Sequence, residues 1–365
     1  MSYSQYLLEL SPIQSWLKPV TIPLVIGGPC SAESFKQVMD TARALFESGK
    51  VSVFRAGIWK PRSRPLGFQG AGEEGLKWLS KVKKTFKMPV AVEVAIPRHV
   101  ELADKYDIDI LWIGARTVVN PFSVEELTKS LKGIERPVFV KNPINPDINL
   151  WIGAIERVNK AGIKKIAAIH RGFQGLTRTK YRNEPMWEIP LELKRLFPEM
   201  PIITDPSHIS GSRALLKDIC QKSIDFQMDG LMIESHINPS KALTDIDQQI
   251  TPAELSRIID SLIIRKKRKT KSFNTLDVLR NEIDSIDHEL LGILAKRMEM
   301  ANKIGHYKKE NNIDPIQPKH WKKIIEERIS FGGSSGLDEE FLRELFDLIH
   351  QESIKKQNDI IKKKD

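Results

Sequence analysis

At 365 residues, 41% of them hydrophobic, the chain has the length for one large core and a small second one and the composition of an ordinary globular protein. Its formal net charge is +10, but Arg265, Lys266, Lys267, Arg268, Lys269 and Lys271 form one acid-free run and more lysines stand at 362–364. A basic linker and tail therefore account for most of the excess, and the lack of interleaved aromatics argues against the other reading of that run, a nucleic-acid surface. No apolar run approaches the roughly 18 residues of a membrane span, residues 1–24 lack an export-signal pattern, and the cysteines Cys30 and Cys220 cannot build a disulfide framework. A reduced, cytoplasmic setting without membrane or nucleic-acid partners is expected.

From the start of the chain, short apolar runs alternate with amphipathic segments. Eight runs fall before residue 265, at 24–28, 51–56, 90–94, 110–114, 138–141, 166–170, 202–205 and 230–234. Continuous rather than alternating apolarity is what parallel strands buried on both faces require. Helix-like stretches at 34–47, 73–84, 124–131, 150–160 and 212–221 lie between them. Eight such units predict a (β/α)8 TIM barrel, with a doubly wound open sheet as the alternative.

In a barrel, function gathers where strands end. Residues 54–70, FRAGIWKPRSRPLGFQG, follow the second run and carry Arg55, Lys60, Arg62 and Arg64 among prolines and glycines that stop a strand or helix from continuing. Arg55, Lys60 and Arg62, with Arg116, Lys141 and Arg171 after later runs, predict a cationic mouth for substrates bearing phosphate and carboxylate groups. A second set, Cys30, His208, Glu234 and Asp245, joins a thiol, an imidazole and two carboxylates. Barrel closure makes the first, seventh and eighth strands neighbours, so these residues predict a site for a divalent transition metal, able to polarise a carbonyl or phosphate oxygen.

The wording GPCS, R-x4-KPR-S, GAR, VKNP, HRG, DPSH and E-S-H followed by Asp245 resembles 3-deoxy-D-arabino-heptulosonate 7-phosphate (DAHP) synthase, in its smaller type Iβ branch, over nearly all of residues 22–250. That resemblance implies a metal-dependent condensation of phosphoenolpyruvate with erythrose 4-phosphate, with release of phosphate. It implies phosphoenolpyruvate binding by Arg55, Lys60, Arg116, Lys141 and Arg171, aldose phosphate binding by Pro61, Arg62 and Ser63, and ligation of one divalent metal, with Mn2+ expected, by Cys30, His208, Glu234 and Asp245. Ser63 stands where the family usually has Thr. Glu93, ending the third run, is read either as a group that orients the attacking water or as a structural carboxylate. Another phosphoenolpyruvate-aldose condensing enzyme on the same barrel is the nearest rival reading.

Beyond Lys271 the pattern becomes purely helical. Leu276, Leu279, Ile283, Ile286, Leu290, Leu294 and Met298 keep three-and-four spacing, predicting a helix of roughly 33 residues that ends near Asn311. A second helix is expected from Pro318, and a third from about Leu337 after a turn at FGGSSG. A helix this long in so small a domain cannot bury its stripe alone, so dimerisation is expected. Arg297 and Lys308 share a face, with Arg280 about a quarter turn away, so that one helix serves its own site with the first pair and a partner's with Arg280. The plain alternative is three solvated charges.

The stretch LRNEIDSIDHELLGILAKRMEMANKIGHYK resembles the all-helical AroQ chorismate mutase family over about residues 275–360. This implies conversion of chorismate to prephenate in a rigid cationic pocket built from Arg280, Arg297, Lys308, Ser353 and Gln357. Gln317, His320 and Trp321 stand where the family has Asp, Arg and Glu. The expected organisation is a barrel at 1–262, a basic linker at 263–274 and a three-helix mutase domain at 275–365. Prephenate or chorismate bound there is expected to inhibit the barrel reaction. The rival reading is a helical module that senses its ligand without turning it over.

Overall fold

A computed structural model describes residues 8–17, 23–60, 67–175, 179–264, 273–314 and 318–362. The chain divides into two compact units, Met1–Arg265 and Lys266–Asp365.

In the first unit eight strands, β1 (Leu24–Gly28), β2 (Val53–Arg55), β3 (Val90–Val94), β4 (Ile110–Ile113), β5 (Val138–Lys141), β6 (Ile166–His170), β7 (Ile202–Thr204) and β8 (Gly230–Glu234), close into a barrel in sequence order. All pairings are parallel, and β1 closes on β8 with Gly28 opposite Glu234. The open-sheet alternative is thereby excluded. Alternate strand residues point inward, as the two-residue strand period demands. Ile26, Val53, Ala91, Trp112, Phe139, Ile169, Ile203 and Met232 fill the tube, while the opposite set, including Val25, Phe54, Val92 and Leu231, packs under the helices.

A short N-terminal helix, Ile13–Trp16, was not expected from the sequence. Ile13 and Leu17 join the interior cluster, and the Trp16 ring meets Phe139 edge-on at 6.1 Å. The segment thus stoppers one end of the tube.

The helix expected at 212–221 instead spans Leu216–Asp225, after a separate short helix at Pro206–Ser210. Arg213 explains the gap, because its guanidinium donates to the carbonyls of Gln249 at 2.7 Å and Ile246 at 2.9 Å and ties that stretch to the loop after β8.

In the second unit the helices are Phe273–Glu310, Pro318–Ser334 and Glu339–Lys362. The first is 38 residues long rather than roughly 33. The FGGSSG stretch is not a turn throughout, since Phe331 to Ser334 continue the second helix. Gly332 sits where a Cβ would lie 2.5 Å from Leu342 Cδ1, so its bareness serves close packing against the third helix rather than a bend. Ile325, Ile329 and Leu342 form the small core, with Phe346 against it. Ile283, Ile286 and Leu290 of the predicted stripe remain exposed within this single chain.

Candidate functional site

Strand register assembles the barrel site. Gly28 has φ +148°, and a Cβ there would lie 2.0 Å from the Arg55 carbonyl oxygen, so only glycine lets β1 run this close to β2. Past it, Cys30 receives the Arg55 guanidinium on its carbonyl oxygen at 3.2 Å. A parallel bridge between Ser235 and Ile250 returns the loop after β8 to the barrel mouth, and this loop carries Asp245. Asp245 adopts φ 46°, a left-handed conformation that Asp tolerates better than most residues.

Cys30, Glu234 and Asp245 come together, each offering a ligand atom within 4.8 Å of the others. His208, the fourth expected ligand, stands just outside that group, with Nε2 3.8 Å from Glu234 Oε1. Its Nδ1 lies 2.9 Å from Asp205 Oδ2, close but not aligned as a hydrogen bond. Burial lowers the imidazole's pKa below its ordinary value, against the pull of Asp205, and so favours the neutral form. A neutral ring with a carboxylate behind one nitrogen and the other nitrogen turned to the site suits a metal ligand. Burial, followed by the neighbouring Glu234 carboxylate, pushes the Cys30 thiol up to about 12. Burial would also raise Asp245, but the Arg182 charge, with the Cys30 hydrogen bond and the Lys60 charge, works against it and holds the carboxyl at about 2. Thiol, carboxylates and imidazole form a donor set that fits a divalent transition metal.

Of the expected cations, Arg55 and Lys60 touch this group directly. Arg55, 2% exposed, donates to Glu234 Oε1 at 3.1 Å, and its guanidinium carbon lies 4.9 Å from the centre of the Trp112 ring. Lys60 Nζ is 3.0 Å from Cys30 Sγ. Lys141 reaches Asp205 Oδ2 at 2.8 Å. Arg171 donates to Asn183 Oδ1 at 2.7 Å, and burial lowers its pKa to about 10, with Arg182 and Arg116 adding like charge. Arg116 itself is exposed on a short helix, Ala115–Val118, just past β4. Pro61, Arg62 and Ser63 lie outside the described residues.

Glu93 accepts the Trp112 indole N–H at 3.1 Å and shares a cavity of about 240 Å³ with Trp59, Lys60, Gln69, Ala95 and His99. Both readings of Glu93 keep support: it is anchored like a structural group, yet it borders open space beside Lys60.

Sequence reasoning missed the groups that hold these residues in place. Asp205 lies between Lys141 and His208. Arg182 pairs with Asp245 at 3.1 Å, and Gln248 donates to Glu234 Oε2 at 2.7 Å. Gln249, fully buried, accepts the Cys30 N–H at 2.8 Å and donates to the Thr244 carbonyl at 2.7 Å. One amide thus ties the Cys30 loop to the Asp245 loop. The only sequence signal for these residues was position: each falls at or after a strand end.

In the helical unit, Arg297 donates to Ser353 Oγ at 2.5 Å and to the Ile349 carbonyl oxygen at 3.4 Å. Gln357, one turn beyond Ser353, is buried, and its Oε1 has no hydrogen-bond partner among the described residues. Burial lowers the pKa of both Arg297 and Lys308. Arg280 lies in the Phe273–Glu310 helix, and His320 and Trp321 in the Pro318–Ser334 helix, but their side chains, like all of Gln317, fall outside the described set. Arg328, which sequence reasoning did not select, brings a second guanidinium charge to bear on Arg297.

Among the described residues no helix is long and apolar enough to cross a membrane. The family model for the DAHP synthetase I family matches residues 21–270, and the one for chorismate mutase type II matches residues 279–358. The phospho-2-dehydro-3-deoxyheptonate aldolase of Thermotoga maritima is 32% identical over 230 residues, a match covering 62% of this chain and 64% of that relative. The chain therefore spans less than two thirds of that relative's length. A crystal structure of phospho-2-dehydro-3-deoxyheptonate aldolase (DAHP synthase) from Thermotoga maritima superimposes with a TM-score of 0.61 at 30% identity, covering 67% of this chain and 70% of that one. The bifunctional chorismate mutase/prephenate dehydratase of Buchnera aphidicola is 34% identical over 90 residues, 25% of this chain and 23% of that relative. With the barrel, its mouth and both matches in hand, the chain belongs to the DAHP synthetase I family and carries a chorismate mutase type II domain in its C-terminal helices.

Proposed function

We propose that this chain is a bifunctional enzyme of the shikimate pathway. Its barrel condenses phosphoenolpyruvate with erythrose 4-phosphate, and its helices convert chorismate to prephenate. The observation that carries the barrel reading is the Cys30, Glu234 and Asp245 group set directly against Arg55 and Lys60. That combination suits polarising a carbonyl while gripping a polyanion.

In this reading Arg55, Lys60, Arg116, Lys141 and Arg171 hold the phosphate and carboxylate of phosphoenolpyruvate, and Pro61, Arg62 and Ser63 hold the aldose phosphate. Cys30, His208, Glu234 and Asp245 would hold a divalent metal, with Mn2+ as the expected ion, and a metal bound there would supply Lewis-acid polarisation of the aldehyde. The chain's own contribution is to keep two phosphorylated reactants in register, which converts an encounter into a positioned reaction. The enol carbon then bonds to the aldehyde carbon, water adds at the adjacent carbon and phosphate departs, so that two substrates and one water give DAHP and inorganic phosphate. Glu93, beside Lys60 in the cavity, is placed to orient that water.

The rearrangement in the helical domain needs neither nucleophile nor base. Arg280, Arg297, Lys308, Ser353 and Gln357 bind the two carboxylates and the ether oxygen. The exposed Ile283, Ile286 and Leu290 suit burial against a second copy. Prephenate at this domain inhibits the barrel reaction.

Phosphate release from phosphoenolpyruvate, erythrose 4-phosphate and Mn2+, abolished by a chelator, tests the first activity. A greater rate with a longer aldose phosphate would favour the rival condensing enzyme. Direct chorismate consumption separates catalyst from sensor. Prephenate should slow phosphate release by the intact chain and not by a chain ending near Lys271, and equal insensitivity of both would remove the feedback reading. Sedimentation of wild type against Ile286→Asp tests the dimer.

A further inference from the structure

Two guanidinium groups of the helical domain come to bear on each other. Arg328, on the second helix, holds its guanidinium carbon 5.1 Å from the centre of the Phe346 ring, and its Nη1 is buried without a hydrogen-bond partner among the described residues. Arg297, from the first helix, reaches Ile349 and Ser353. Phe346, His350, Ser353 and Gln357 recur every three or four residues and so share one face of the third helix, with Ile349 beside His350. The two guanidinium groups therefore pack on successive turns of a single face, and His350 lies between those turns. Burial lowers the His350 pKa, and the charges of Arg297, Arg328 and Lys308 lower it further, against the pull of Asp347. Gln357, 6% exposed, adds a buried oxygen without a partner among the described residues. Like charges gathered around unmet polar atoms call for an anionic ligand with acceptors and donors of its own.

Resting on the reading of this domain as the chorismate and prephenate pocket, we propose that Arg328 is a further ligand-binding residue there, holding one carboxylate of the dicarboxylate jointly with Arg297. It is not a displaced copy of the arginine expected at position 320. Eight residues separate His320 from Arg328, about 12 Å along a helix and two turns further on, so Arg328 addresses a different point of the ligand.

The test uses the full-length chain, with prephenate binding followed by calorimetry and chorismate consumption by absorbance. Arg328→Gln should raise the prephenate Kd and the chorismate KM by about 10- to 100-fold, the loss expected for one charge-assisted contact, while kcat changes several-fold less. Arg328→Met keeps an apolar stem against Phe346 and gives the same measurement should the Gln variant fail to fold. A folded variant with wild-type Kd and KM would overturn the assignment and leave the parent reading standing. A wild-type chain that neither binds prephenate nor consumes chorismate would overturn both.

Discussion

The barrel mouth and the helical pocket are both cationic, but they are neutralised differently. In the barrel three site cations meet a carboxylate of the chain itself: Arg55 with Glu234, Lys141 with Asp205, Arg182 with Asp245. In the helical domain, among the described residues, Arg297 reaches a hydroxyl and a carbonyl, and Arg328 rests on an aromatic face. The first arrangement suits a site that must host both positive and negative guests. The second suits an anion alone, for a reaction whose transition state needs only electrostatic complementarity. Internally paired charges couple a site to its fold, because losing one partner strands the other in a low-dielectric interior. Charges that await a ligand carry no such coupling.

The sharpest way to break this contrast is Glu234→Ala. It removes an expected metal ligand and leaves Arg55 buried without its partner. Phosphate release should fall by at least about a thousandfold, and the barrel should lose about 3–5 kcal/mol against urea. Intact barrel stability would show that the pairing is dispensable. Arg297→Ala should lower chorismate turnover by about 100- to 1,000-fold while shifting the stability of the helical domain by less than about 1 kcal/mol. A large loss of stability would erase the distinction between the two regions.

Arg62→Ala should raise the KM for erythrose 4-phosphate by about tenfold or more and that for phosphoenolpyruvate much less. Equal effects would undo the division of labour along the loop. The smallest effect concerns His170, whose Nε2 lies 2.6 Å from the Pro185 carbonyl oxygen. Burial holds its pKa at about 4, below the ordinary 6.5. Between pH 6.5 and 4 the unfolded chain takes a proton that the folded barrel refuses, so stability falls with falling pH by up to about 1.4 kcal/mol per unit. His170→Asn should remove that share of the slope and leave the share of His99 and His208, whose pKa values burial also lowers, as compared by urea midpoints at pH 7 and 5.

The barrel was legible because parallel strands buried on both faces leave continuous apolar runs. Its site was legible because those strands deliver their chemistry at one end. What sequence could not reveal was pairing across the mouth. Asp205 stands one residue past β7, and nothing local marks it as the partner of Lys141, which is 64 residues away. Gln248 and Gln249 read as ordinary polar residues until the Ser235 and Ile250 bridge folds their loop inward. The helical domain misled in one respect, since a glycine-rich stretch has two physical meanings: Gly332 is a place of close approach, not a bend. Arg328 was passed over because a charge on an amphipathic helix usually faces solvent, and only the packing of the third helix sets it apart.

The stopper at the far end of the barrel bears on where the physical unit begins. The family match starts at residue 21, whereas Ile13, Trp16 and Leu17 lie before it and pack with the interior of the tube. Ancestry and foldable unit therefore have different borders here. A protein trimmed to the family boundary would retain every residue named at the mouth yet leave Phe139 open to water from beneath, a leak at the floor of a vessel whose rim is intact.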